Sequence, residues 1–180
     1  YASAEPLYKR VLANREKALG PEHPDVSASL NNLAEVYHAQ GNYAAAESLH
    51  KRALAIREKA LGSEHPDVSV SLDNLAGLYQ DQKNYAAAEP LYKRSLEIRE
   101  KALGAENPDV GASLINLEAL YRDQGNYPAA EPLYKRALAI AEKSLGPDHP
   151  NVGASLVNLA GLYHDEGNFA AAEPLYKKAL

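Results

Sequence analysis

Cysteine, methionine and tryptophan are absent from this 180-residue sequence, and phenylalanine occurs once. Without cysteine there is neither a disulfide framework nor a thiolate-ligated metal site. Bases are outnumbered: 19 Lys and Arg stand against 24 Asp and Glu, so the basic footprint of a nucleic-acid binder is missing. No apolar run approaches the roughly 18 residues that a membrane helix needs. No strand pattern of alternating apolar and polar residues occurs either. What the chain does have is 46% apolar residues, enough to bury a core and to exclude the disordered and collagen-like classes.

It also has a repeat. Laid over itself at 42 residues, the sequence aligns Gly20, Gly62, Gly104 and Gly146. Tyr43, Tyr85, Tyr127 and Phe169 fall in one column, each after an asparagine and in register with Tyr1. A period of this size predicts a solenoid, in which each unit buries its apolar face against its neighbours. The phase predicts that Tyr1 lies midway through a hairpin and that the chain is part of a longer one.

Each period carries two helix signals. The first runs from about Pro24 to Gln40, with Val26, Leu30, Leu33 and Tyr37 on one face. Pro24 suits the first helical position, Asp25 complements the positive end, and Gly41 supplies a left-handed terminator. Lys83 replaces that glycine in the second period. The second helix runs from about Tyr43 to Leu61, with Asn42 as N-cap, Leu49, Ala53, Ile56 and Ala60 as inner stripe, and Gly62 as stop. Outside, Glu5–Lys9, Glu47–Lys51, Glu89–Lys93, Glu131–Lys135 and Glu173–Lys177 repeat the favourable i, i+4 order of a solvated face. Pro6, Pro90, Pro132 and Pro174 predict a slightly bent start to these helices. The expected fold is all-α, a right-handed superhelical solenoid of antiparallel helix pairs. Residues 1–19 form an unpartnered second helix, 24–61, 66–103 and 108–145 full pairs, and 150–180 a shortened pair, all in one array.

The stretch Leu30, Leu33, Ala34, Tyr37, Gly41, Tyr43, Ala46, His50 and Ala53 resembles the tetratricopeptide signature. Leu stands for its first-helix Trp, and Ala (or Glu118) for its Gly. The familiar unit has about 34 residues; here the second helix continues as IREKALG for two more turns. This longer variety, with its ALGPEHPDV and LNNLAxLY strings, is similar to the repeats of kinesin light chains. It is also similar to arrays at the C-terminal ends of some NTPase-type signalling proteins.

The resemblance implies that first helices line a concave surface and second helices a convex one. The groove-facing sets are then Ala28, Asn31, Asn32, Glu35, His38, Ala39; Val70, Asp73, Asn74, Gly77, Gln80, Asp81; Ala112, Ile115, Asn116, Ala119, Arg122, Asp123; and Ala154, Val157, Asn158, Gly161, His164, Asp165. Asn32, Asn74, Asn116 and Asn158 recur in one column. Such amides can pair with the backbone of an extended peptide, or bond the neighbouring repeat and maintain stacking. Glu35, Asp73, Asp81, Asp123 and Asp165 oppose only Arg122. That balance argues against the clamping of acidic chaperone tails. It points either to a preference for Lys- or Arg-bearing peptides or to a merely solvated acidic groove.

Catalytic and metal chemistry find no foothold. His23, His65 and His149 lie whole repeats apart, and Asn107 takes the place between them, so capping of helix starts explains the EHPD strings better than ligation. His50 replaces a packing tyrosine. Ser29, Ser71, Ser113 and Ser155 lack the context of a nucleophile and read as packing residues. Phosphate-cradling and zinc motifs are missing.

The expectation is a non-catalytic, cofactor-free scaffold, cytoplasmic, with protein or peptide partners and neither nucleic acid nor membrane. The alternative is a spacer or sensor array of a larger signalling protein, self-associating head to tail.

Overall fold

The computed structural model describes residues 4–179, and every regular element among them is an α-helix. They are α1 (Glu5–Leu19), α2 (Pro24–Ala39), α3 (Tyr43–Leu61), α4 (Pro66–Asp81), α5 (Tyr85–Leu103), α6 (Pro108–Asp123), α7 (Tyr127–Leu145), α8 (Pro150–Asp165) and α9 (Phe169–Lys178). The even-numbered helices are the predicted first helices and the odd-numbered ones the second. By its contacts the chain divides into two compact units, residues 1–98 and 99–180, with the boundary inside α5.

The boundaries follow from local chemistry. Each even helix begins with proline at its first position, where the missing N–H costs nothing. The residue before that proline is the cap. Nδ1 of His23, His65 and His149 accepts from the backbone N–H two residues on, at 3.2, 3.2 and 3.1 Å, and Asn107 Oδ1 does the same at 2.9 Å. The histidines of the EHPD strings therefore serve the helix starts. At the far end, Gly41, Gly125 and Gly167 adopt φ of 76°, 70° and 76°, and Lys83 takes the same left-handed turn at φ 58°. Asn42 and Asn168 cap the next helix by accepting from the third N–H, whereas Asn126, followed by Pro128, makes no such bond. Pro90, Pro132 and Pro174 lie inside helices that run on without interruption.

In the first unit α1 packs on α2, α2 on α3, and α3 on α4. Val26, Leu30, Ala53 and Ile56 form one buried cluster, and Ala34, Ala46, Leu75 and Leu78 the next. In the second unit α6 packs on α7, α7 on α8 and α8 on α9. There Ala130, Tyr134, Leu159 and Leu162 make the corresponding cluster. Ala60, assigned above to the inner stripe, is exposed.

The outer charge pairs form as expected, at 2.5–2.7 Å from Glu5–Lys9 to Glu173–Lys177. They are not purely solvated. Tyr79 donates its hydroxyl to Glu47 (2.9 Å) and Tyr163 to Glu131 (2.7 Å), so each glutamate also ties an odd helix to the following even one.

Candidate functional site

The even helices carry the predicted site, and the two units present it separately. In the first unit Asn32 and Glu35 of α2 are exposed and His38 half-buried; on α4, Asp73, Asn74 and Gln80 are half-buried and Asp81 exposed. The two helices meet here through His38, whose Nε2 lies 2.9 Å from Asp81 Oδ2 while its Nδ1 lies 3.9 Å from Glu35 Oε2. A cleft of about 500 Å³ beside them is lined by Asn32, Glu35 and His38 together with Tyr8 of α1. In the second unit Arg122 and Asp123 of α6 and Asn158, His164 and Asp165 of α8 are exposed, and Asn116 is half-buried. The His164 ring stands edge-on to Phe169, with centroids 5.2 Å apart.

Asn31 departs from the expected groove set. It is only 6% exposed, and its Oδ1 lies 3.0 Å from Nδ1 of the fully buried His50. The other three repeats carry tyrosine in the His50 column. Here the imidazole needs a hydrogen-bonding partner, and Asn31 turns inward to supply it. Burial, with a smaller contribution from nearby His38, lowers the His50 pKa from 6.5 to about 4, so the ring is neutral at pH 7. Its Nε2 has no hydrogen bond, with Glu35 Oε1 at 3.6 Å.

The four-fold asparagine column behaves differently. Asn32, Asn74, Asn116 and Asn158 all reach solvent, and their side-chain amides have no hydrogen-bond partner among the described residues. Charge on this face is asymmetric. The first unit places Glu35, Asp73 and Asp81 with no Lys or Arg among the predicted residues, whereas the second sets Arg122 against Asp123 and Asp165. Val70, Ile115 and Val157 add apolar surface to it, each 42–45% exposed.

Two features went unread in the sequence. Glu118 occupies the column in which Ala34, Ala76 and Ala160 are fully buried, and it is buried too, at 2% exposure. Desolvation pushes its carboxyl up to about 9, against the pull of Arg122, and its Oε2 is unpartnered. The periodic serines, read as packing, are hydrogen-bond acceptors for arginines 14 residues upstream: Arg15 to Ser29 (2.8 Å), Arg57 to Ser71 (3.1 Å), and Arg99 to Ser113. The signal was the shared 42-residue spacing of the arginines and the serines. Among the described residues no group of three or more His, Asp or Glu is placed to hold a metal ion, and no helix is long and apolar enough to cross a membrane.

Comparison with known proteins places this geometry. The tetratricopeptide repeat model matches residues 1–59, 25–101, 67–143 and 119–180, which together span the chain. No curated protein matches it. Among solved structures, the nearly identical repeats of a kinesin light chain-like protein from Podosopora anserina share 33% identity, with a TM-score of 0.83, over 99% of this chain and 84% of that one. BtubC (BKLC) from P. vanneervenii shares 27% identity, with a TM-score of 0.84, over 99% and 71%. A Rap protein crystallised with competence and sporulation factor, at 21% identity and a TM-score of 0.76 over 98% and 47%, shows the same fold. With two-helix units of 42 residues, a full-length match to the family and these neighbours, the chain belongs to the tetratricopeptide repeat family, as an all-α solenoid of the kinesin light chain-like type that serves as a protein–protein interaction scaffold.

Proposed function

We propose that this chain binds, without catalysis, an extended segment of a partner protein through the faces that α2 and α4 carry in the first unit and α6 and α8 in the second, and that it prefers segments rich in Lys or Arg. The observation that carries the reading is the asparagine column. Asn32 and Asn158 are exposed, Asn74 and Asn116 half-buried, and none of the four side chains makes a hydrogen bond among the described residues, which speaks against a role in holding repeats together. An amide offers a donor and an acceptor side by side, the pair that an extended peptide backbone presents. Glu35, Asp73, Asp81, Asp123 and Asp165 supply a field that favours cations, felt mainly in the on-rate and in salt dependence.

The test is fluorescence anisotropy with labelled extended peptides that differ only in charge, at two salt concentrations. Basic peptides should bind, more weakly as salt rises, and the double change Asn74→Ala and Asn116→Ala should weaken them by about tenfold or more. Preference for acidic peptides, or tightening with salt, would remove the charge reading. Undiminished binding by the double variant would remove the asparagine reading.

A second reading, end-to-end self-association, draws on exposed apolar side chains of the outermost helices: Leu7 and Val11 on α1, Phe169 and Tyr176 on α9. Sedimentation velocity at high protein concentration decides it, since a single monomeric species would exclude association.

A further inference from the structure

Four joints link an odd helix to the next even one, and three are closed by an arginine. Arg15 Nη1 donates to the Asp25 carbonyl (3.3 Å) and to Ser29 Oγ (2.8 Å). Arg57 repeats this with the Asp67 carbonyl (2.9 Å) and Ser71 Oγ (3.1 Å), and its Nε adds Ser27 Oγ (2.8 Å). Arg99 donates to Ser113 Oγ. At the fourth joint, between α7 and α8, the arginine position is Ala141. Both acceptors persist there as Ser155 Oγ and the Asn151 carbonyl. With no guanidinium to serve, Ser155 Oγ donates to that carbonyl at 3.0 Å.

A cleft of about 350 Å³ opens in place of the missing side chain. Its walls are aliphatic, with Ile140, Ala141 and Leu145 along α7, and Ser155 and Asn151 line it on α8. Ile115 and Asn158 also line it and carry it to the candidate binding face. The acidic side chain that accompanies each arginine elsewhere, as Asp25, Asp67 and Asp109, is Asn151 here, so the charge was lost with its partner and the hydrogen-bond acceptors were kept. Aliphatic walls beside two oxygen acceptors match an arginine, whose stem is apolar and whose fork is weakly hydrated.

We propose that this cleft is a subsite for an arginine side chain of the bound segment, entering in trans where the other three joints are filled in cis. The occupant is argued from the chain itself, which seats a guanidinium on the same pair of acceptors at Arg15 and Arg57. The proposal deepens the basic-peptide reading and rests on it.

The test uses the isotope-labelled chain and two blocked tripeptides, glycyl-arginyl-glycine and its norleucine counterpart, followed by amide chemical shifts. The arginine peptide should shift Gly111, Ser155 and Asn158 saturably, and the norleucine peptide should bind about tenfold more weakly, having no donors for Ser155 and Asn151. Ala141→Arg, which refills the cleft in cis, should abolish these shifts and raise the melting temperature. Ser155→Ala, which leaves the joint otherwise intact, should weaken the arginine peptide several-fold. Equal binding of the two peptides, or arginine binding undiminished in Ala141→Arg, overturns the proposal. A longer lysine-only peptide separates the two readings. If it binds wild type and Ala141→Arg alike while the arginine tripeptide fails, the subsite falls and the groove stands; if the tripeptide binds and the lysine peptide does not, the groove reading falls instead.

Discussion

Replacing Glu118 by glutamine should take out of the fold's stability a marked dependence on pH. The carboxyl is 2% exposed in a column otherwise filled by fully buried alanines, and burial pushes it from 4.5 up to about 9. A raised carboxyl pKa means that the folded chain holds a proton that the unfolded chain releases. The penalty is therefore nil below pH 4.5, grows as pH rises, and is complete near pH 9. Each pH unit in that window is worth about 1.4 kcal/mol, so between pH 5.5 and 8.5 wild type should lose about 4 kcal/mol relative to Glu118→Gln. Local rearrangement and water entry reduce such penalties, so ~2–4 kcal/mol is the expected range. Urea denaturation of both proteins across this window measures the difference directly, because every other titrating group is common to the pair. Glu118→Ala should show the same slope, since Ala34, Ala76 and Ala160 show that alanine fits this column. Parallel stability curves for wild type and Glu118→Gln would refute the reasoning.

Further expectations concern the joints, the turns and the buried histidine. Arg57→Ala should cost about 1–3 kcal/mol in urea denaturation, because three acceptors lose a charged donor, and lysine in its place should not restore the loss. Lys83→Gly should raise stability by about 0.5–1 kcal/mol, seen as a higher thermal midpoint, since φ 58° strains any residue with a Cβ. His50 has a depressed pKa, so its neutral form stabilises the fold above pH 6.5 and that stability drains away as pH falls toward 4. Between pH 7 and 5, wild type should lose about 2 kcal/mol more than His50→Tyr, the residue of the other repeats, in calorimetry at the two pH values.

The fold was legible because the repeat wrote each boundary four times over. A proline after a His or Asn cap starts every even helix, and a glycine (or Lys83) at positive φ ends it, all of which are local signals. What stayed hidden depends on partners that the period does not reveal in a single column. Asn31 reads as a groove residue from its place on α2, yet His50 nineteen residues away draws it inward. The buried state of Glu118 was foreshadowed only by the alanines above and below it. The arginine–serine links needed two columns read together, and reading either alone makes one a surface charge and the other a packing residue. The asparagine column was visible in sequence. Its freedom from partners is a property of the folded helices.

The vacancy at Ala141 also bears on how such a stack comes apart. In a one-dimensional array each unit is held only by its neighbours, so resistance to unfolding is set joint by joint rather than shared across a common core. The α7–α8 joint keeps its packing and the Tyr163–Glu131 hydrogen bond but has no guanidinium, so it is where thermal fluctuation or mechanical pulling should first separate the hairpin of α8 and α9 from α7. A ligand that seats an arginine there would splice the array, making recognition and mechanical continuity the same event.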